Sequence, residues 1–331
     1  MAKATWQFVI GASLAAGISA IATAPALAAG IALSANPITK STGTAVVGQD
    51  YLKYQAVDSN NDGIVDRTTR NDNADLNQIL QGDCVVVAGA CSPSGSPGGN
   101  VELFADSEQL KYLPLQNFKN APITSLTGSL FGMNVILSSL NGADWFTTKS
   151  GTYSTTYGAD NLATRWFKDA FTANGFGSLI GSGFDTLVYA ASLQFGLFQR
   201  FSDPNISYVN QDSISSKIRI GLAGHFDATT VLEEILPSSI LGNILSLRSP
   251  DFVNKPLQAS EVIKVVYGGI TQYKYSFTAA QSGLTASDDG ISHNGNYEVS
   301  VDTVPEPTTM VGLGLGVAGL LAAKRKRAKT A

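Results

Sequence analysis

Histidine and cysteine are scarce in this chain of 331 residues, with two of each, and charged side chains make up only 15% of it. The two histidines stand in Gly224-His225-Phe226-Asp227 and Ser292-His293-Asn294, and no His-Glu-x-x-His pair, Gly-x-Ser-x-Gly elbow or phosphate-binding glycine loop precedes either. These three local catalytic motifs are therefore absent, and both histidines are expected to be exposed turn residues. A serine triad or a carboxylate pair would have to assemble from distant segments. Cys84 and Cys91 have six residues between them. That spacing is wrong for a Cys-x-x-Cys redox pair, and no further zinc ligands stand nearby. Positive charge is short as well. Six of the 22 Lys and Arg lie at the chain ends, which leaves 16 between Ala29 and Ala323 against 26 Asp and Glu, about −10. Phosphate binding needs a basic face, so nucleic acid is not an expected partner.

The long uncharged runs lie at the two ends. At the N-terminus Lys3 supplies a positive start, Phe8 to Ala22 is apolar, and Ala26-Leu27-Ala28 gives the small-x-small pattern read by signal peptidase. Residues 1–28 are expected to be a signal peptide handed to Sec-type export machinery and cut after Ala28. At the C-terminus Val304-Pro305-Glu306-Pro307 leads into an apolar run from Thr308 to Ala323, and Lys324-Arg325-Lys326-Arg327 follows at once. Sixteen residues at about 1.5 Å each span roughly 24 Å, less than a hydrocarbon core of about 30 Å, so the expected transmembrane helix is a marginal anchor in the inner membrane. The basic stop places the C-terminus in the cytoplasm and residues 29–303 outside. Pro305 and Pro307 disfavour helix before them, which leaves an extended segment at the membrane surface.

This tail, residues 304–331, resembles the PEP-CTERM sorting signal of exported bacterial proteins, with Pro305-Glu306-Pro307 as its hallmark tripeptide. The resemblance implies that an exosortase cuts near the tripeptide and frees the body from its transient anchor. The stretches Phe198 to Asn210 and Gly283 to Gly290 look like an uncharacterised cyanobacterial PEP-CTERM group, a likeness that carries no known activity.

The exported body reads as α+β. We expect a β-rich domain built on a sandwich-like antiparallel sheet, with a central helical insertion at about 158–247. Short β-prone runs at Thr44 to Val47, Cys84 to Val87, Val101 to Phe104 and Val135 to Leu140 are separated by Gly, Pro, Asn and Ser clusters, and Ser92 to Gly99 reads as a flexible exposed loop. In the oxidising compartment Cys84 and Cys91 are expected to form one local disulfide. Leu162, Ala163, Trp166, Phe167, Ala170 and Phe171 share a helical face, with Asp160 as the cap and Asn174-Gly175 as the stop. Phe184 to Phe201 is apolar nearly all round and fits a buried helix or paired strands. Asp227 and Pro237 punctuate a helical hairpin. Val262 to Tyr267 and Thr271 to Phe277 flank Gly268-Gly269 as a β-hairpin, and Tyr297 to Val301 is a last strand.

One loop has a ligand's spacing. Asp58, Asn60, Asp62 and Asp66 take positions 1, 3, 5 and 9, Gly63 takes the sharp turn, and the Ile64 carbonyl takes position 7. Calcium loops need this order, although Thr69 stands where a bidentate glutamate belongs. The loop is thus either a weak calcium site or an Asx-rich turn. The sequence points to a non-enzymatic surface or extracellular-matrix protein. Polysaccharide is a candidate partner, because the family is linked with exopolysaccharide producers. The alternative is a secreted hydrolase whose site folding assembles.

Overall fold

The computed structural model describes residues 34–36, 51–62, 65–80, 83–87, 90–95, 98–104, 115–212 and 217–302. Both ends of the chain, with Ala26, Ala28 and everything from residue 303 onward, lie outside these residues, as does the run from Thr44 to Val47. In chain order the elements are β1 (Ser34–Asn36), β2 (Tyr51–Val57), β3 (Arg67–Arg70), α1 (Leu76–Leu80), β4 (Asp83–Val87), β5 (Ala90–Gly95), β6 (Gly99–Leu103), α2 (Leu115–Phe118), β7 (Ser125–Leu130), β8 (Met133–Ser138), α3 (Gly142–Phe146), α4 (Leu162–Ala173), α5 (Phe184–Gln194), α6 (Leu197–Arg200), β9 (Asn205–Asp212), β10 (Lys217–Gly224), α7 (Thr229–Ile235), α8 (Ser238–Ser246), β11 (Ile263–Tyr267), β12 (Ile270–Lys274), β13 (Ala279–Gln281), β14 (Thr285–Ala286) and β15 (Gly295–Asp302).

The protein is β-rich, and its strands pair antiparallel except where β14 runs parallel to β3. Eight strands form one curled sheet in the order β13-β15-β10-β9-β6-β2-β3-β14, five form a second in the order β1-β7-β8-β11-β12, and β4 pairs with β5. Alternation along the strands explains how the two larger sheets meet. Ile218, Ile220 and Leu222 of β10 turn inward with Val299 and Val301 of β15, and they share one apolar cluster with Leu126, Leu137, Val265 and Tyr267 of the other sheet. The β11–β12 hairpin turns at Gly268 and Gly269, whose φ angles of 56° and 82° only glycine adopts without strain.

A second cluster is built mainly from helices and aromatic rings. Trp145 meets Trp166 edge-on at 5.7 Å, Phe146 meets Phe198 at 5.4 Å, and Phe167 meets Tyr189 at 5.2 Å. Tyr273, Tyr275 and Phe277 pack against this cluster from the sheet side, which joins the two halves of the core. Among the described residues no helix is long and apolar enough to cross a membrane.

Three expectations are corrected. The helical insertion at 158–247 is not continuous, because β9 and β10, each of eight residues, run through it. These strands sit near the middle of the larger sheet with both faces covered. Asn205 to Asn210 are consequently all buried, and the polar members break up the apolar alternation that marks a half-exposed strand. The cap of α4 is Asn161 rather than Asp160: the Asn161 side chain accepts from Thr164 N, while Asp160 pairs with Lys149 at 3.1 Å. The Ser92 to Gly99 segment is not loop throughout, since Ser92 to Gly95 belong to β5 and Gly99 begins β6, with residues 96 and 97 outside the described residues. Phe184 to Phe201 resolves as helix, α5 and α6 divided at Gly196 with φ 73°.

Candidate functional site

Two neighbouring segments and a sequence-distant third meet at a polar groove of about 560 Å³: α3 with the turn after it, the entry to α4, and β12. Its shape begins with two helix caps. The Asn141 side chain accepts from Ala143 N and Asp144 N, and the Asp144 carboxylate accepts in return from Asn141 N. This box fixes Asp144 at the groove wall, where its Oδ1 accepts from Lys264 Nζ at 2.7 Å and from the Tyr273 hydroxyl at 2.8 Å. Burial, then the neighbouring Asp144 charge, holds the Tyr273 phenol well above its ordinary range, so it stays a donor. Asn161 starts α4, and Arg165, one turn on, reaches the same groove. Lys149, Asp160, Thr148, Gln272 and Lys274 complete the walls.

The groove therefore offers donors and acceptors on several sides, with both carboxylates, Asp144 and Asp160, ion-paired to lysines. Such a surface suits a hydroxyl-rich polar ligand held by many hydrogen bonds. Of its residues, sequence reasoning placed Tyr273 on a strand and Asp160 at a cap but found no site. The Asn141-x-x-Asp144 spacing was a usable signal for the cap; the approach of β12 to α3 left no signal in the sequence.

His293 is not the exposed turn residue expected. It is 5% exposed and left-handed at φ 65°, with Nδ1 2.8 Å from Thr68 Oγ1. Asn100 Nδ2 donates to its Nε2 at 3.2 Å and to Asn205 Oδ1 at 2.7 Å, and the Tyr54 ring stands edge-on at 4.7 Å. A donor at Nε2 leaves the proton on Nδ1, which then donates to Thr68. Burial pulls the imidazole down to about 4, against the pull of Asp288 and Asp289. Thr68 and His293 face a cavity of only about 20 Å³, too small for a substrate. His225 is half-buried, and its carbonyl accepts from the Tyr297 hydroxyl at 2.7 Å.

In the Asp58 loop the oxygens serve the loop itself. Asp62 N donates to Asp58 Oδ1 at 3.2 Å and to Asn60 Oδ1 at 3.0 Å, and both Asp66 oxygens accept from Ser59. These bonds, the hydroxyl of Ser59 first, hold the Asp66 carboxyl below its usual range. Ile64 lies outside the described residues. Among those described, no three His, Cys, Asp or Glu side chains stand close enough to hold a metal ion. Cys84 and Cys91 fall on β4 and β5, with Val86 opposite Cys91; their side chains are outside the described residues.

A family model for the PEP-CTERM protein-sorting motif matches residues 303–327. The match holds the tripeptide Pro305, Glu306 and Pro307 and the basic run Lys324, Arg325, Lys326 and Arg327. The motif implies export to the cell surface, with an exosortase as the processing partner. No curated protein and no solved structure matches the chain.

Proposed function

We infer, for a chain that carries the PEP-CTERM sorting motif and is thereby an exosortase-targeted surface protein, that its body works outside the cell as a non-enzymatic binding protein for polysaccharide. The observation that carries the first half is the motif at residues 303–327. The binding half is supported by the groove between α3, α4 and β12, whose walls mix hydroxyl, amide and paired charges around the Tyr273 ring. In this reading the signal peptide is removed after Ala28, the tail anchors the chain briefly in the inner membrane with its C-terminus in the cytoplasm, and cleavage near Pro305-Glu306-Pro307 releases the body to the surface.

Calcium belongs to the same proposal. Asp58, Asn60, Asp62 and Asp66 would hold it, and the support is their loop spacing together with Asp58 and Asn60 oxygens that already turn inward onto Asp62 N.

The test has two arms. Replacing Pro305, Glu306 and Pro307 by alanine should leave the uncut chain in the inner membrane fraction; unchanged release to the surface would remove the sorting half. A glycan array probed with the full chain, calcium present, should give signal that falls when Arg165 or Tyr273 is replaced by alanine. The second reading, a hydrolase, is favoured by one observation: two carboxylates, Asp144 and Asp160, line one groove. Shortened array glycans after incubation, lost in Asp160→Asn, would decide for it.

A further inference from the structure

The helical half of the core is incompletely filled. Between α4, α5 and the α7–α8 hairpin lies a cavity of about 80 Å³, with Phe171, Val188, Leu197, Leu241 and Leu257 among its walls. Protein cores leave few voids larger than a water molecule, and an apolar void is too poor in polar partners to hold water well. A second, independent feature concerns Trp166, which lines this cavity and is 2% exposed. Its indole Nε1 is buried without any hydrogen-bond partner. The other core indole differs: Trp145 Nε1 donates to Ser202 Oγ at 2.8 Å. An indole N–H withdrawn from water normally finds an acceptor, so the Trp166 donor stands out as unspent.

The polar groups around the cavity are otherwise committed. Ser192 Oγ donates to Val188 O at 2.9 Å, and the Asn174 amide donates to Ala170 O and Gln258 O. One wall, Leu236, Leu241 and Ile244, belongs to the α7–α8 hairpin, which bends at Pro237 and whose second helix has no side-chain cap. The bend at Pro237 gives that hairpin a hinge about which its wall can move.

We propose that this cavity is a binding site for a small, predominantly apolar molecule carrying one hydrogen-bond acceptor, admitted beside the α7–α8 hairpin and met by the Trp166 indole N–H. The apolar walls supply affinity by burial, and the single donor selects a carbonyl or ether oxygen over a plain hydrocarbon. The site is separate from the polar groove and does not depend on the polysaccharide reading.

Two probes of nearly equal shape test it: cyclopentanone and cyclopentane, titrated into the full chain and followed by saturation-transfer NMR and thermal shift. Both should bind, cyclopentanone about tenfold tighter, as one buried hydrogen bond provides. Ser192→Leu fills the cavity and should abolish both signals while circular dichroism stays unchanged. Trp166→Phe keeps a ring but removes the donor, and should level the two affinities. Binding of neither probe, or equal binding to the wild type and Ser192→Leu, would overturn the proposal.

Discussion

Thr68 Oγ1 and His293 Nδ1 meet at 2.8 Å inside the protein, although 225 residues separate them in the chain. The contact ties β3, near one edge of the larger sheet, to the turn before β15, near the other edge. It also fixes the imidazole as neutral, because Asn100 presents a donor to the second ring nitrogen. Protonation would set donor against donor in a buried place.

Stability should therefore depend on pH through this ring. Its value falls from 6.5 to about 4 in the folded protein. Between those values the unfolded chain takes up a proton that the folded protein refuses, so acid favours unfolding. The stabilisation is complete above pH 6.5 and is lost as pH falls to about 4, some 3 kcal/mol in all at about 1.4 kcal/mol per unit. Urea unfolding at pH 7, 5.5 and 4.5 measures the slope. His293→Gln should be less stable at pH 7 yet lose less between pH 7 and 4.5; a slope equal to that of the wild type would assign the effect elsewhere.

The cap of α4 gives a sharper contrast. Asn161 accepts from Thr164 N at 3.0 Å and donates to Ser154 O at 2.8 Å, whereas Asp160 forms an exposed ion pair with Lys149. Asn161→Ala should cost about 1–2 kcal/mol, and Asp160→Ala less than about 0.5 kcal/mol. Denaturant midpoints of the two variants check the order, and the reverse order would return the cap to Asp160.

That contrast shows what the sequence could carry. The apolar stripe of α4 and the Gly268-Gly269 turn between β11 and β12 are local patterns with one physical meaning, and each has its counterpart in the structure. The same holds for the tail, whose tripeptide and basic run sit inside the matched motif. What stayed hidden depends on partners far away. Asn205 to Asn210 fell inside the expected helical insertion because a strand covered on both faces shows no period-two alternation; Ser207 is bonded to Asn296 and Asn205 N to Glu261. His293 looked like a turn residue because it is one, at φ 65°; Thr68, Asn100 and the Tyr54 ring, brought in by the sheet, help to bury it. The groove is of the same kind, since Asp144 and Tyr273 are 129 residues apart.

Gly99 should be the least replaceable glycine of the sheet. It has φ 131°, and a Cβ there would run into the Tyr54 carbonyl on the neighbouring β2. Gly269, also at positive φ, has nothing within 4 Å of an added Cβ. Gly99→Ala should cost on the order of 3 kcal/mol, combining backbone strain with a collision that only strand separation relieves. Gly269→Ala carries the strain alone, about 1 kcal/mol. Equal losses in urea would mean that β2 and β6 can part without penalty.

The Asp58 to Asp66 loop proposed for calcium should respond weakly, and the reason lies in its present bonds. To gather Asp58, Asn60, Asp62 and Asp66 around a cation, the loop must release Asp66 from Ser59, whose amide donates to it at 3.0 Å. Thr69 also stands where a fixed bidentate carboxylate would sit. On the calcium proposal, both facts lead to an expected affinity in the extracellular range, about 0.1–1 mM. At 5 mM calcium and a Kd of about 1 mM, binding to the folded protein alone stabilises it by roughly 1 kcal/mol, or about 2–4 °C in Tm. Calorimetry with calcium against chelator should show that rise in the wild type and lose it in Asp62→Ala. Magnesium, which demands a tighter octahedral shell, should give little. Identical melting curves with calcium and with chelator would leave Asp58 to Asp66 as a turn closed on its own hydrogen bonds, and the polysaccharide reading would then have to stand without a calcium requirement.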